Sequence, residues 1–228
     1  MLIKNAKIYR NGKFENGSLS FGKKIEAFGA EGEGLDAKGM YLVPGFIDVH
    51  THGALGYDGT DVEAKDIPAM AAHYASHGVT SFLFTTMTAA RDTLKKAMAN
   101  VSGYEREGAQ AKIAGVHLEG PFLSYKKRGA QAAFNLQAPN IEMFHELNEI
   151  SGGKLRIITV APEIEGAVDF IREASKVCTV SLGHSTATYE EAMAGFEAGA
   201  SHVTHLFNGM EPLHHRKPGL VGAALTAG

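Results

Sequence analysis

The chain has 228 residues, long enough to bury a sizeable core, with 44% apolar and 21% charged residues and a formal net charge of −3. So mild a charge excludes partners held by bulk electrostatics, such as nucleic acid or an anionic membrane surface, and leaves any anionic ligand to a local site. The one cysteine, Cys178, excludes an intramolecular disulfide; within the apolar run VCTVSL it reads as an inert core thiol of a protein from a reducing compartment.

The N-terminal MLIKNAKIYRNGKF lacks the apolar segment of a secretory signal. No stretch approaches the roughly 18 apolar residues of a membrane span, so a soluble cytoplasmic protein without a membrane partner is expected. Residues 1–43 read as a small β unit: LIKNAKIY, then RNGKF with Asn11-Gly12 as a strong hairpin signal, then GSLSF and KKIEAFG. From 44 to 228 the texture changes to apolar strands, GFIDVH, VTSFLFTT, AKIAGVHLE, LRIITVAP, CTVSLGH and HVTHLF. Between them lie the amphipathic segments IPAMAAHYASHG, AARDTLKKAMANV, IEMFHELNEI, AVDFIREASK and TYEEAMAGFEAGA, with Gly78 and Gly199 as helix stops.

Strands apolar on both faces and separated by single helices indicate parallel βαβ units, and six in succession favour a barrel over an open sheet. A closed (β/α) barrel needs eight units and typically about 250 residues. The expected fold is therefore α/β, an incomplete parallel (β/α) barrel of about six units preceded by a small β unit, with GLVGAALTAG as the approach to another unit.

In such barrels the chemistry sits at the C-terminal ends of the strands. In GFIDVHTHG the first strand ends in His50 and His52, which project to one side of an extended chain about 7 Å apart along it. The third ends in His117 and Glu119, the fifth in His184 and the sixth in His205. His50, His52, Glu119, His184 and His205 form the candidate ligand set, since imidazole and carboxylate are the usual shell of zinc or a similar divalent ion. His117 is left out of the set. His73, His77 and His145 lie in helical patterns and His202 enters its strand at the opposite end, so none of these is given a role.

After the sixth strand, THLFNGMEPLHHRKPG offers an amide at Asn208, a close backbone approach at Gly209, and cationic or titratable groups at His214, His215 and Arg216. An arginine there suits bidentate contact with a phosphate or carboxylate. After the third, EGPFLSYKKRGAQ places Gln131 beside Gly129 and Ala130 like a substrate-contacting amide, while Lys126, Lys127 and Arg128 read as solvated.

These motifs carry a resemblance. PGFIDVHTHG is similar to the first-strand signature of the amidohydrolase superfamily, and HLEGPF, GHS and THLFNGM followed by LHHR resemble its N-acetylglucosamine-6-phosphate deacetylase family, in order across essentially the whole chain. The resemblance implies Glu119, His184 and His205 as principal metal ligands, His50 and His52 at a site that holds a second metal in some members, and zinc or iron as the metal. It implies Ala130, Gln131, Asn208, Gly209 and Arg216 as substrate-binding positions, with Arg216 meeting a sugar phosphate across a homodimer interface. The implied reaction is hydrolysis of N-acetylglucosamine 6-phosphate, a phosphorylated amino sugar, to glucosamine 6-phosphate and acetate. The family's general acid/base, an Asp ending the eighth strand, has no counterpart here, so no catalytic residue is assigned, and the 228-residue chain alone is expected to hydrolyse the acetyl group negligibly. Two further readings stand beside this one: an amidohydrolase acting on a cyclic amide, and a non-catalytic metal- or sugar-phosphate-binding fragment.

Overall fold

The computed structural model describes residues 1–227. Two compact units are present, Met1–Phe46 and a second from Ile47 onward. The first holds β1 (Leu2–Arg10), β2 (Lys13–Phe21), β3 (Ile25–Phe28), β4 (Leu35–Asp36) and β5 (Tyr41–Leu42). The hairpin at Asn11-Gly12 forms: Arg10 pairs with Lys13, and φ values of 52° and 80° at the two turn residues are the left-handed pair a tight type I′ turn requires. β1 lies antiparallel to β2 and parallel to β4 and β5, over a small core of Ala6, Ile8, Leu19 and Ala37.

The second fold unit runs β6 (Phe46–Thr51), a ribbon of β7 (Gly53–Ala54) and β8 (Tyr57–Asp58), α1 (Ile67–Ser76), β9 (Val79–Thr86), α2 (Arg91–Gly103) and β10 (Lys112–Glu119). It continues with α3 (Ile141–Ile150), β11 (Leu155–Val160), α4 (Ala167–Ala174), β12 (Thr179–Leu182), α5 (Tyr189–Glu197), β13 (His202–Val203) and α6 (Gly219–Thr226). The sheet order β13-β12-β11-β10-β9-β6 is chain order, and every neighbour from β9 to β13 pairs parallel. With one helix after each strand, this is six units of a (β/α) barrel whose sheet does not close among the described residues.

Strand alternation sorts the residues. Phe82, Phe84, Val116, Leu118, Ile158, Val160, Val180 and Leu182 join one buried cluster with Ile67, Leu94, Phe144 and Ile171 of the helices. On the opposite face the same strands bury Thr85, His117, Glu119, Thr159 and Ser181. The inner face is thus mixed, Leu83 and Ile157 lying beside this polar set, a partial correction to the reading of the strands as apolar on both sides; several of its polar side chains bond to one another.

Helix ends follow local chemistry. A capping box opens α5, where the Thr188 hydroxyl accepts from the Glu191 amide at 3.2 Å and the Glu191 carboxylate accepts from the Thr188 amide at 2.8 Å. Gly78 and Gly199, at φ 83° and 118°, follow the ends of α1 and α5. One expectation needs correction, HVTHLF being strand only at His202–Val203; GLVGAALT forms α6, which follows β13 as a helix follows each earlier strand. That helix buries Leu220, Val221 and Ala223, and its nearly continuous apolar sequence conceals a helical period. No helix among the described residues is long and apolar enough to cross a membrane.

Leu118, fully buried on the helix-facing side of β10, tests this division of faces. Leu118→Ala is expected to lower stability by about 2–5 kcal/mol through lost burial and a residual cavity, read from urea unfolding. An unchanged midpoint and slope would show that the sheet–helix layer does not carry the fold.

Candidate metal centre

Parallel strands bring their C-terminal ends to one rim, so residues far apart in sequence meet. His50 lies in β6 and His52 just after it, Glu119 ends β10, and His184 and His205 each follow their strand by two residues. Both of the latter occupy left-handed backbone, φ 49° and 35°, as does Phe207 at 79°. Such conformations cost of order 1–3 kcal/mol each and persist where surrounding structure imposes them.

Glu119 is the centre, only 2% exposed. Its Oε1 lies 3.1 Å from His184 Nε2, 3.3 Å from His205 Nε2 and 3.4 Å from His50 Nε2. Its Oε2 lies 2.9 Å from His52 Nε2 and accepts a hydrogen bond of 2.9 Å from the Gln131 amide. The five candidate ligands therefore form two overlapping groups, His50–His52–Glu119 and Glu119–His184–His205, joined by the carboxylate.

Backbone carbonyls fix the tautomers. His184 Nδ1–H donates to the Lys127 carbonyl and His205 Nδ1–H to the Asn208 carbonyl, both at 2.8 Å. In the neutral rings each Nε2 then carries a lone pair, and the two nitrogens lie 3.0 Å apart. Facing lone pairs at that distance repel unless a proton or metal ion lies between them. Two ligands about 2.0–2.1 Å from one zinc ion and a tetrahedral angle apart are separated by roughly 3.4 Å; the donor separations here run from 2.9 to 3.4 Å. The donor set fits a divalent ion in chemistry and spacing.

The electrostatics agree. Burial opposes ionisation of Glu119, but the rings of His184, His205, His50 and His52, donating from Nε2 whenever they are protonated, outweigh it and hold the carboxyl far below its usual range. Burial disfavours the charged form of His52, yet its hydrogen bond to Glu119 and that residue's charge push its pKa up; the Glu119 hydrogen bond does the same, against burial, for His205. His117 is different. Burial, with the neighbouring His50, lowers its pKa to about 3, and both ring nitrogens bond elsewhere, to the Val49 carbonyl and Thr159 hydroxyl.

The expected substrate positions are less uniform. Gly209 adopts φ 65° directly behind the ligand rings, where an added Cβ would lie 3.1 Å from His205 and 3.3 Å from His184. Ala130, Asn208 and Arg216 are exposed. Arg216 lines a separate cavity of about 270 Å³ with Thr186, Glu211 and Lys217, whereas a cavity of about 540 Å³ opens beside His50 and His205 over His117 and His202. Gln131 is buried and both ends of its amide bond within the protein. Glu211 pairs with Lys127 at 3.0 Å, so that lysine is not merely solvated.

Sequence reasoning missed Glu163. Its carboxylate accepts from the Ser185 hydroxyl at 2.7 Å and the Thr186 amide at 2.6 Å, pinning the strained turn that carries His184. Its place immediately after the predicted LRIITVAP strand was the available signal.

Residues 41–226 match the model of the amidohydrolase family. The chain is 37% identical over 190 residues to N-acetylglucosamine-6-phosphate deacetylase of Bacillus subtilis, covering 81% of this chain and 48% of that protein. It is 39% identical over 187 residues to N-acetylgalactosamine-6-phosphate deacetylase of Escherichia coli O157:H7, covering 81% and 50%. Among solved structures it resembles a mutant N-acetyl-D-glucosamine-6-phosphate deacetylase from Mycobacterium smegmatis in complex with N-acetyl-D-glucosamine-6-phosphate, with TM-score 0.85 and 29% identity over 98% of this chain and 60% of the other. The chain spans about half the length of these curated relatives.

Protons and metal compete for the same nitrogens. Because the His52 and His205 pKa values are raised in the fold, their proton-linked stability is present below the unfolded value of about 6.5 and is lost as pH rises through the folded values. Divalent-metal affinity is expected to change in the opposite sense, strengthening between about pH 6.5 and 8.5 as the rings lose protons. Titration calorimetry at the two ends of that range checks it; equal affinities would contradict the ligand assignment.

Proposed function

Because this chain belongs to the amidohydrolase family, we propose that it supplies the metal centre for hydrolysis of the N-acetyl group of N-acetylglucosamine 6-phosphate to glucosamine 6-phosphate and acetate. The observation that carries the proposal is Glu119 set between two histidine pairs, His50–His52 and His184–His205, at one end of a parallel sheet. His184, His205 and Glu119 would hold one zinc or iron ion, and His50 and His52 with Glu119 a second. Such a centre, when loaded, activates water and polarises the amide carbonyl.

The chain's own residues do the rest. The carbonyls of Lys127 and Asn208 keep the Nε2 atoms of His184 and His205 aimed at Glu119. Gly209 lets the His184 and His205 rings pack against bare backbone, where a Cβ would crowd them. Arg216, with the ring nitrogens of His214 and His215 beside it in sequence, forms a segment suited to the phosphate. The exposure of Arg216 supports a contact made across a homodimer. Proton delivery to the leaving amine is assigned neither to Glu211, paired with Lys127, nor to Glu163, bonded to Ser185 and Thr186. Burial pushes the Cys178 thiol up to about 12, an unreactive thiol in keeping with a cytoplasmic protein of amino-sugar catabolism.

The similarity to an N-acetylgalactosamine-6-phosphate deacetylase makes the 4-epimer a second candidate substrate. In calorimetry the metal-loaded chain is expected to bind N-acetylglucosamine 6-phosphate at least tenfold more tightly than the unphosphorylated sugar, with Arg216→Ala costing about 2 kcal/mol. Equal affinity for both would remove the phosphosugar reading, and tighter binding of the galacto epimer would replace the substrate named here.

A further inference from the structure

The metal-centre reading leaves open what keeps one carboxylate facing two groups of histidines. A terminal carboxylate torsion is broad and two-fold, so Glu119 has little intrinsic preference for directing Oε1 toward His184, His205 and His50 and Oε2 toward His52. Something outside the histidines must hold its plane.

We infer that Gln131 is the positioning residue that holds the Glu119 carboxylate with Oε1 toward His184, His205 and His50 and Oε2 toward His52. The Thr88 backbone amide donates to Gln131 Oε1 at 2.6 Å, and Gln131 Nε2 donates to Glu119 Oε2 at 2.9 Å. A backbone N–H can only donate, so the amide orientation is determined: its oxygen faces Thr88 and its amino group faces Glu119. Gln131 is 4% and Thr88 3% exposed, which shields both bonds from water. Thr88 follows β9 by two residues, so the carboxylate is tied through Gln131 to the neighbouring strand's end as well as to its own.

The chemistry of the donor matters. An uncharged amide orients Oε2 without bringing a cation that would compete for the site, and it occupies the oxygen on the His52 side. Loss of Gln131 therefore acts unequally. Oε1 remains surrounded by three imidazoles, whereas Oε2 keeps only His52. The role also differs from the substrate contact expected at this position, because both ends of the amide are already engaged inside the protein.

The inference rests on the metal-centre reading, and one experiment separates their failures. Metal-stripped wild type, Gln131→Met, Gln131→Asn and Glu119→Gln chains are titrated with cobalt(II), following the visible spectrum and the ions retained on equilibrium dialysis, with circular dichroism to verify the fold. Gln131→Met removes the polar group at similar size; Gln131→Asn keeps an amide one methylene too short to bridge Thr88 and Glu119. Wild type is expected to take two ions. Either Gln131 variant should keep the first and bind the second about tenfold or more weakly, while Glu119→Gln loses both. Unchanged affinities in both Gln131 variants, or equal weakening of the two ions, would overturn the inference, as would a wild type that takes a single ion while the metal reading stands. A wild type that takes up no cobalt would remove the metal reading and this inference with it.

Discussion

A carboxylate withdrawn from water costs several kcal/mol unless cations or hydrogen-bond donors meet its oxygens. Glu119 sits at the end of β10 under that requirement, nearly inaccessible and surrounded by imidazole nitrogens from three other strand ends. Most local oddities of the second unit follow from meeting it. The left-handed turns at His184 and His205 bring their rings back over the strand ends, Gly209 leaves space behind those rings, and Glu163 ties down the turn after His184. Remove the anion and these features have no common purpose.

Beneath the centre lies a polar layer that parallel sheets buried on both faces usually lack. Its direction is readable. His117 Nδ1–H donates to the Val49 carbonyl at 3.2 Å, so its Nε2 accepts from Thr159 at 2.7 Å; Thr159 in turn meets Thr204 at 2.8 Å. Thr204 meets Ser181 at 2.6 Å, and Ser181 meets His202 Nδ1 at 2.9 Å. Beginning from a carbonyl that can only accept, each hydroxyl accepts from the next, and His202 supplies the last proton. The chain crosses β6, β10, β11, β12 and the start of β13, joining the polar part of the inner face. It also gives His117 a purpose as a neutral wall beside His50, their rings 4.8 Å apart.

The sequence displayed the strands and their polar ends because period-two alternation and terminal histidines are local signals. His50 and His52, two positions apart, show their shared direction in five letters, and Asn11-Gly12 announces its hairpin through backbone preference alone. What stayed hidden depends on contacts made at long range. Gln131 sits twelve residues from Glu119 and forty-three from Thr88, so its amide looked free to meet a substrate. Glu163 reads as an ordinary loop carboxylate until the turn after β12 arrives beside it. The two-residue β7 and β8 are too short to carry a period, and β13 ends early because His205 must turn toward Glu119.

The centre is also a conflict within the fold. Three non-glycine residues in left-handed backbone and two imidazole pairs brought Nε2 to Nε2 oppose folding of this rim. The helix-facing layer, with Phe82, Phe84, Leu118 and Ile158 wholly or almost wholly buried, supplies the stability that holds the rim in place. An ion bound at the rim replaces the repulsion among lone pairs with coordination, so its binding free energy is in part folding free energy. The apolar layer and the polar rim are therefore coupled halves of one sheet: the first makes the arrangement affordable, and the second gives the arrangement a ligand to prefer.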